Sequence, residues 1–469
     1  MFRVLAPVTR ALSPVIIALL CSTTQAQQEV PPELVQPLRQ INQKSVTATI
    51  AFLASDEMAG RDTPSREFDM AAAYVAARFQ GAGLTGGGDE GSFFQTTNIA
   101  TLQLPESGIS IQQDGKPVQH FGLLSGDAEA SSFAGKVTFV SASDEIRDQK
   151  YAGPVYFETG DLSDRRAISN LVRQTASLKQ RGATAILIPV EADSPLIAIA
   201  QQKRQPALVQ PRGGFAGPTL LVSPLQPGGN FAIEIPKQAG GQAAVRNVIG
   251  VLKGSDPKLA NEAIIFTAHL DHIGQTSGMG DTIFNGADDD ASGVTAVLTL
   301  ADAFASLPTP PKRTVIFMTF WGEEKGLLGS NYYANHPTWP LDQTIANINI
   351  EMIGRPEPGA NEKVWVTGWH YSSLGELMNV GSQKVGVLTF EHPKLSEMLY
   401  RASDNYSLVE KGVIAHSFSA GSLHSDYHQV GDEWEKLELR HMTRVIQGLF
   451  AGSLPIANGE VTPEKKPAR

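Results

Sequence analysis

In the second half of this chain, residues 263–268, 314–320, 345–350 and 364–368 are short, mostly apolar runs. A strand that is apolar at nearly every position has no face to offer water, so it must be buried on both sides, as in a parallel sheet covered by helices. Residues 291–307 carry a helix pattern that Pro308 stops. Strand, loop and helix repeat from Asn247 onward, which predicts an α/β fold with a mixed, mostly parallel central sheet and helices on both faces. In such sheets the active site lies beyond the carboxyl ends of the strands. The polar clusters of this half fall there.

The rest of the chain divides by composition. Of 469 residues 42% are apolar and 18% charged, which suits a globular chain with more than one core. Residues 1–26 read as a signal peptide: Arg3 and Arg10 precede an apolar stretch over 11–20, and Thr24 and Ala26 stand at cleavage spacing. That stretch is about half of the roughly 20 residues that span a bilayer, and Pro14 interrupts it, so export to the periplasm or beyond is expected rather than a membrane anchor. Residues 27–101, helical in spacing at 67–82, form the N-terminal part of the main domain. Residues 102–244 alternate in short runs among Gly, Pro and Gln-rich loops and read as an inserted, mainly β domain with one helix near 164–181. The main domain resumes over 245–457, and the charged tail 458–469 is expected to be disordered.

Cys21 is the only cysteine and lies in the leader, so a mature chain offers no disulfide, thiol nucleophile or thiolate ligand, and any metal falls to histidines and carboxylates. Loss of Arg3 and Arg10 with the leader would leave 36 basic against 48 acidic residues, a net charge of −12. With no cluster of Lys and Arg, nucleic acid and anionic membrane surfaces are not expected partners.

Five clusters carry chemistry. His269 and Asp271 follow the first apolar run at i, i+2, one side of an extended backbone, where the carboxylate can accept the imidazole N–H and fix the tautomer of a metal ligand. Asp288, Asp289 and Asp290 lead into the long helix. Helix capping needs one acid, and the surplus argues for a cation. Glu323 and Glu324 follow the second run, an adjacent pair able to divide metal binding from proton transfer. Glu351 follows the third, and His424, Tyr427, His428 and Asp432 sit in a Gly/Ser-rich loop. Two histidines and three carboxylates beyond the helper acids suit a two-metal site for Zn²⁺, with Co²⁺ and Mn²⁺ as alternatives. Two such ions about 3.5–4 Å apart can polarise a carbonyl and lower the pKa of a bridging water.

In order, spacing and strand-end placement over about 247–450, these motifs resemble the zinc aminopeptidase family that includes bacterial leucyl aminopeptidases, glutamate carboxypeptidase II and the catalytically dead transferrin receptor. The segment from Leu53 to Arg61 resembles the N-terminal region of its exported bacterial members, and the insert resembles their protease-associated domain. The resemblance implies two Zn²⁺ per chain: His269 and Glu351 on one, Glu324 and His428 on the other, Asp289 bridging. Asp271 would orient His269, Glu323 would be the general base, and Tyr427 would help stabilise the oxyanion. His428 is chosen over His424 because Asp432 follows it by four residues, leaving His424 to line the substrate pocket. His272, Asp288 and Asp290 are read as local structure. Glu351 departs from the family's usual Asp by one methylene.

The implied reaction is hydrolysis of an N-terminal peptide bond by a zinc-bridging hydroxide with Glu323 as base. The same centre serves carboxypeptidases and other amide hydrolases. A carboxypeptidase would need a cation near the metals, for which Arg355 is the candidate. A metal-free binding protein of the same fold should have lost ligands, and none is missing here.

Overall fold

The computed structural model describes residues 31–467 apart from 104–107, 126–129, 142–148, 160–164, 193, 195–196, 198–206, 209–217, 226–228, 238, 276–279 and 422. The leader read at 1–26 lies outside the described residues. The main body is built on a ten-stranded mixed sheet. Its principal strands are β1 (Phe94–Gln103), β2 (Ala239–Leu252), β3 (Ala263–His269), β4 (Thr314–Phe320), β5 (Thr344–Ile350), β6 (Lys363–Val366), β7 (Leu388–Phe390) and β8 (Ala415–Ser419). In space they run β1, β2, β4, β3, β5, β8, β6, β7. The centre is parallel, β4 with β3, β3 with β5 and β5 with β8, while β1 and β2 add antiparallel strands at one side and β6 runs against β8.

Every residue of β3 and β4 is buried, which is why their sequences show no polar face. Successive side chains point to opposite faces, so each strand feeds two cores. Phe266 and Phe317 pack on one face with Phe304 of the helix Ser292–Ala305 and, through it, Phe450 of the C-terminal helix Leu439–Ala457. Ile265, Ile316 and Met318 pack on the other with Tyr333 and Leu408. The helix Arg66–Gly81 starts where Ser65 accepts a hydrogen bond from the Phe68 amide at 3.0 Å, and its buried face joins the larger core.

Between β1 and β2 the chain builds two further sheets with cores of their own. Five strands, 121–125, 219–222, 186–189, 155–158 and 138–141, face four, 116–117, 110–113, 230–235 and 131–136. The helix Arg165–Gln180 links Val155–Glu158 to the parallel Ile186–Pro189. At Val137 the chain leaves one sheet for the other, between Ser131–Lys136 and Thr138–Ser141.

The tail departs from expectation. Residues up to 467 are held rather than disordered: Arg313 donates to the Val461 carbonyl and the Thr462 hydroxyl, Lys465 bridges to Ser372, and Lys466 pairs with Glu376 at 2.7 Å. Composition alone sets its charges facing water, whereas the fold offers them partners already fixed on the main body.

Candidate active site

Each acid and histidine singled out above lies at the carboxyl end of the central strands or in the loops beside them, and most are brought together. His269 ends β3 and is 1% exposed. Its Nδ1 lies 3.0 Å from the Asp271 backbone carbonyl, which only accepts, so Nδ1 carries the proton. Nε2 faces Asp289 Oδ1 3.1 Å away. A buried contact of this kind needs a positive charge, carried either by the ring itself or by a metal ion between the two atoms.

This corrects the expected role of Asp271. Its carboxylate lies 4.0 Å from His269 Nδ1 and accepts instead from the Glu323 amide at 3.1 Å. The strand ends at His269, so the i, i+2 geometry of an extended chain no longer applies. Asp271 orients His269 through its carbonyl and anchors the Glu323 loop through its side chain.

The three successive acids divide their work. Asp288 Oδ1 accepts from the Gly354 amide at 2.6 Å, and Asp290 accepts from the amides of Gly293 and Met352 at 3.0 and 3.2 Å, so both knit loop to strand end as local structure. Only Asp289 points its carboxylate into the site, its amide held at 3.1 Å by Asp432, which also takes the Asp288 amide. Capping by backbone N–H groups thus uses two of the acids, and the surplus that argues for a cation is one.

Two donor groups share Asp289. The ligand atoms of His269, Asp289 and Glu351 all lie within 4.8 Å of one another, as do those of His272, Asp289 and Glu324. His428, 38% exposed and with a left-handed backbone, places Nε2 at 3.1 Å from Asp289 Oδ2 and 3.3 Å from Glu324 Oε2. His272, read as local structure, is instead fully buried with Nδ1 at 2.6 Å from Glu324 Oε1. His424 is the opposite case. It does not line the pocket but lies against Asp288 Oδ2 at 3.3 Å and Arg355 at 3.3 Å, and Arg355 is itself paired with Asp426 at 2.6 Å.

A cavity opens onto the site, with Asp289, Glu323, Glu351, Tyr427 and His428 at one end. Its wall is apolar at Met352, Trp365, Leu395, Leu399 and Leu423. Burial pushes the Glu323 carboxyl well above the usual range, and Asp404 and Glu351 add to that. Burial raises Glu351 to about 7, and burial followed by the nearby Asp289 pushes Tyr427 up. Burial works against a charge on His269, yet Glu323, Asp289 and Asp290 raise its pKa well above the ordinary value. So much negative charge in a dry site asks for cations.

Two contributors give little sequence signal. Arg61, 1% exposed, donates to the carbonyls of Leu53, Leu270, Asn285 and Gly286 and so ties together the loops that carry His269 and Asp289. Ser403 accepts from Asn349 at 2.9 Å and hydrogen bonds to Glu351. A lone arginine just before an Asp-Thr-Pro stretch and a serine amid polar loops look ordinary until folded.

A mixed α/β sheet with helices on both faces and two His and carboxylate groups sharing one Asp at the strand ends defines a metallohydrolase type of centre. Residues 247–451 match the sequence profile of Peptidase family M28, and the chain carries a domain of that family. It is 26% identical over 231 residues to aminopeptidase YwaD of Bacillus subtilis (strain 168), covering 47% of this chain and 46% of that protein. Over 114 residues it is 35% identical to leupeptin-inactivating enzyme 1 of Streptomyces exfoliatus, 24% of each chain. The chain thus spans about half or less of the length of these relatives. In fold it resembles the aminopeptidase from Aneurinibacillus sp. strain AM-1, with a TM-score of 0.58 at 18% identity over 92% of this chain and 96% of that one. It also resembles a Peptidase M28 precursor from Shewanella amazonensis SB2B, with a TM-score of 0.56 at 19% identity over 93% and 98%.

Proposed function

We propose that this protein is an exported, zinc-dependent aminopeptidase that releases N-terminal residues from peptides. His269, Asp289 and Glu351 would hold one zinc, and Asp289, Glu324 and His428 the other. The observation that carries this reading is the sharing of Asp289 between two sets of donors, His269 and Glu351 on one side and Glu324 with His428 Nε2 on the other, with Glu323 opening into the same cavity. The donors fit zinc: nitrogen and carboxylate oxygen, no sulfur, and a buried His269 Nε2 left without a hydrogen-bond partner. Two zinc ions bound there would supply Lewis acidity toward a peptide carbonyl and toward water.

The protein's own groups do the rest. Glu323, anchored through its amide to Asp271, accepts the proton released from the attacking water and hands it to the departing amine. Tyr427, kept protonated by burial, donates to the developing oxyanion. The acidic end of the cavity attracts the substrate's α-ammonium, and the wall of Trp365, Leu395 and Leu399 accepts an apolar side chain. Arg355, the cation a carboxypeptidase would use, is engaged by Asp426 and lies off the cavity, which favours attack at the N-terminus. The two-sheet insert between β1 and β2 is read as protease-associated-like. Among the described residues no helix is long and apolar enough to cross a membrane.

Hydrolysis of aminoacyl-p-nitroanilides is compared with that of their N-acetylated counterparts, with metal content measured on the same samples. Cleavage confined to free amines by a protein holding two zincs is the expected result. Two zincs without such cleavage would transfer the reading to another amide hydrolase. No bound metal would return the chain to the metal-free binding class.

A further inference from the structure

Among the polar side chains near the site, His272 is a buried imidazole without an assigned task. It follows Asp271 in the loop after β3, is fully buried, and neither ring nitrogen has a hydrogen-bond partner. An unpartnered imidazole in a dry interior is costly, and native structures rarely keep one without a reason. Its Nδ1 lies 2.6 Å from Glu324 Oε1, and that oxygen is likewise buried without a hydrogen bond. The two atoms are close but not aligned for N–H···O bonding, as donors are when both aim at a third point rather than at each other. The third point is shared with Asp289, whose Oδ2 lies 3.8 Å from His272 Nδ1. His428 approaches the same two carboxylates from the other side, its ring 5.7 Å from that of His272 and at 71° to it.

We infer that His272 is a direct ligand of the second zinc, through Nδ1, alongside Asp289, Glu324 and His428. The two metals are then unlike. The first is held by one imidazole and two carboxylates, the second by two imidazoles and two carboxylates. Four protein donors close a tetrahedral shell, whereas three leave it open. The second zinc is therefore the more tightly held and the better shielded from substrate, and the first is the one with room for a substrate carbonyl. The inference rests on the two-zinc reading above, and its test separates the two.

The full-length protein is loaded with Co²⁺ as wild type, His272→Cys and His272→Asn, and zinc affinity is measured by competition with a chelator. Wild type has Cys21 as its one cysteine and gives the baseline spectrum. A thiolate at position 272 within bonding distance of the metal should add a sulfur-to-Co²⁺ charge-transfer band in the near ultraviolet. His272→Asn should weaken one of two zinc sites by more than about 100-fold, beyond the 10–100-fold typical of a residue that only orients a ligand. X-ray absorption on the two-zinc wild type needs no variant and should report three imidazoles shared between two metals rather than two. Two zincs in wild type with two imidazoles, no new band and unchanged affinity in the variants would overturn the role of His272 alone. A wild type that binds no zinc would overturn the metal reading itself.

Discussion

Replacing Arg61 by methionine should loosen the site from beneath while leaving every proposed metal donor in place. The guanidinium donates to Leu270 O at 2.9 Å, Asn285 O at 2.8 Å and Gly286 O at 3.0 Å, and also to Leu53 O. Burial pushes its pKa down to about 10, so it remains charged at neutral pH. Hydrogen bonds from a charged donor contribute about 1.5–3 kcal/mol each. The cost of burying the charge offsets much of their sum, and removing one partner of a buried charged network typically costs about 3–5 kcal/mol. Methionine keeps the length of the stem, so the loss should come from the carbonyls left unpaired rather than from a void. At about 2 °C per kcal/mol for a large domain, Tm should fall by about 6–10 °C. Leu270 adjoins His269, and Asn285 and Gly286 precede Asp289, so zinc affinity should fall as well. Arg61→Lys reaches fewer of the four carbonyls and should recover only part of either loss. Scanning calorimetry of the apo protein with zinc titration of the same samples is the assay. A methionine variant that melts within about 2 °C of wild type and binds zinc as tightly would refute the bracing role.

Glu323→Gln should lower turnover by at least about 10²–10⁴-fold with zinc content unchanged, checked by p-nitroanilide kinetics beside metal analysis. Chelation should lower Tm, and zinc restored to about 100 times its Kd should return about 2.7 kcal/mol per site, read as a zinc-dependent shift in melting. His416 bonds to Thr367 O and to the Ser372 hydroxyl, both at 2.7 Å, and burial lowers its pKa from 6.5 to about 4. The unfolded chain therefore takes up a proton between these values and the folded one does not. Stability should be complete above about pH 6.5 and fall by about 3 kcal/mol as pH drops to about 4. Urea unfolding across that range should show the slope, and His416→Gln should reduce it while His441, lowered likewise, keeps its own contribution.

The sheet is legible in the sequence because burial on both faces leaves so strong a trace: 314–320 reads as a strand from its residues alone and is one. Site positions are legible for a related reason, since an acid set directly after a buried apolar run is costly unless a cation or a donor meets it. What the sequence does not encode is which atom of a residue does the work. Asp271 stands at the expected spacing, yet its carbonyl rather than its carboxylate meets His269, because the strand ends one turn of the pleat too soon. His272 and His424 each occupy the kind of surroundings expected of the other. Three residues from a strand end, or four from a ligand, the direction of a side chain depends on loop backbone that no periodicity encodes. Arg61 falls within the segment that resembles exported family members, but its four acceptors come from three separate stretches of chain, which no local pattern brings together.

β1 and β2 pair without interruption over ten residues, from Phe94 with Val248 to Gln103 with Ala239. The two-sheet unit between them therefore leaves the main sheet and comes back to it along one antiparallel ribbon, whose two rails stand about 4.8 Å apart. The ribbon behaves as a socket. Whatever is mounted on its far end can be lengthened, exchanged or cut back to a tight hairpin turn, and the strands that feed the metal loops would meet the same neighbours in the same register. Such a fold can acquire new surface without renegotiating the geometry of its metal loops, because the attachment point is itself a piece of regular secondary structure.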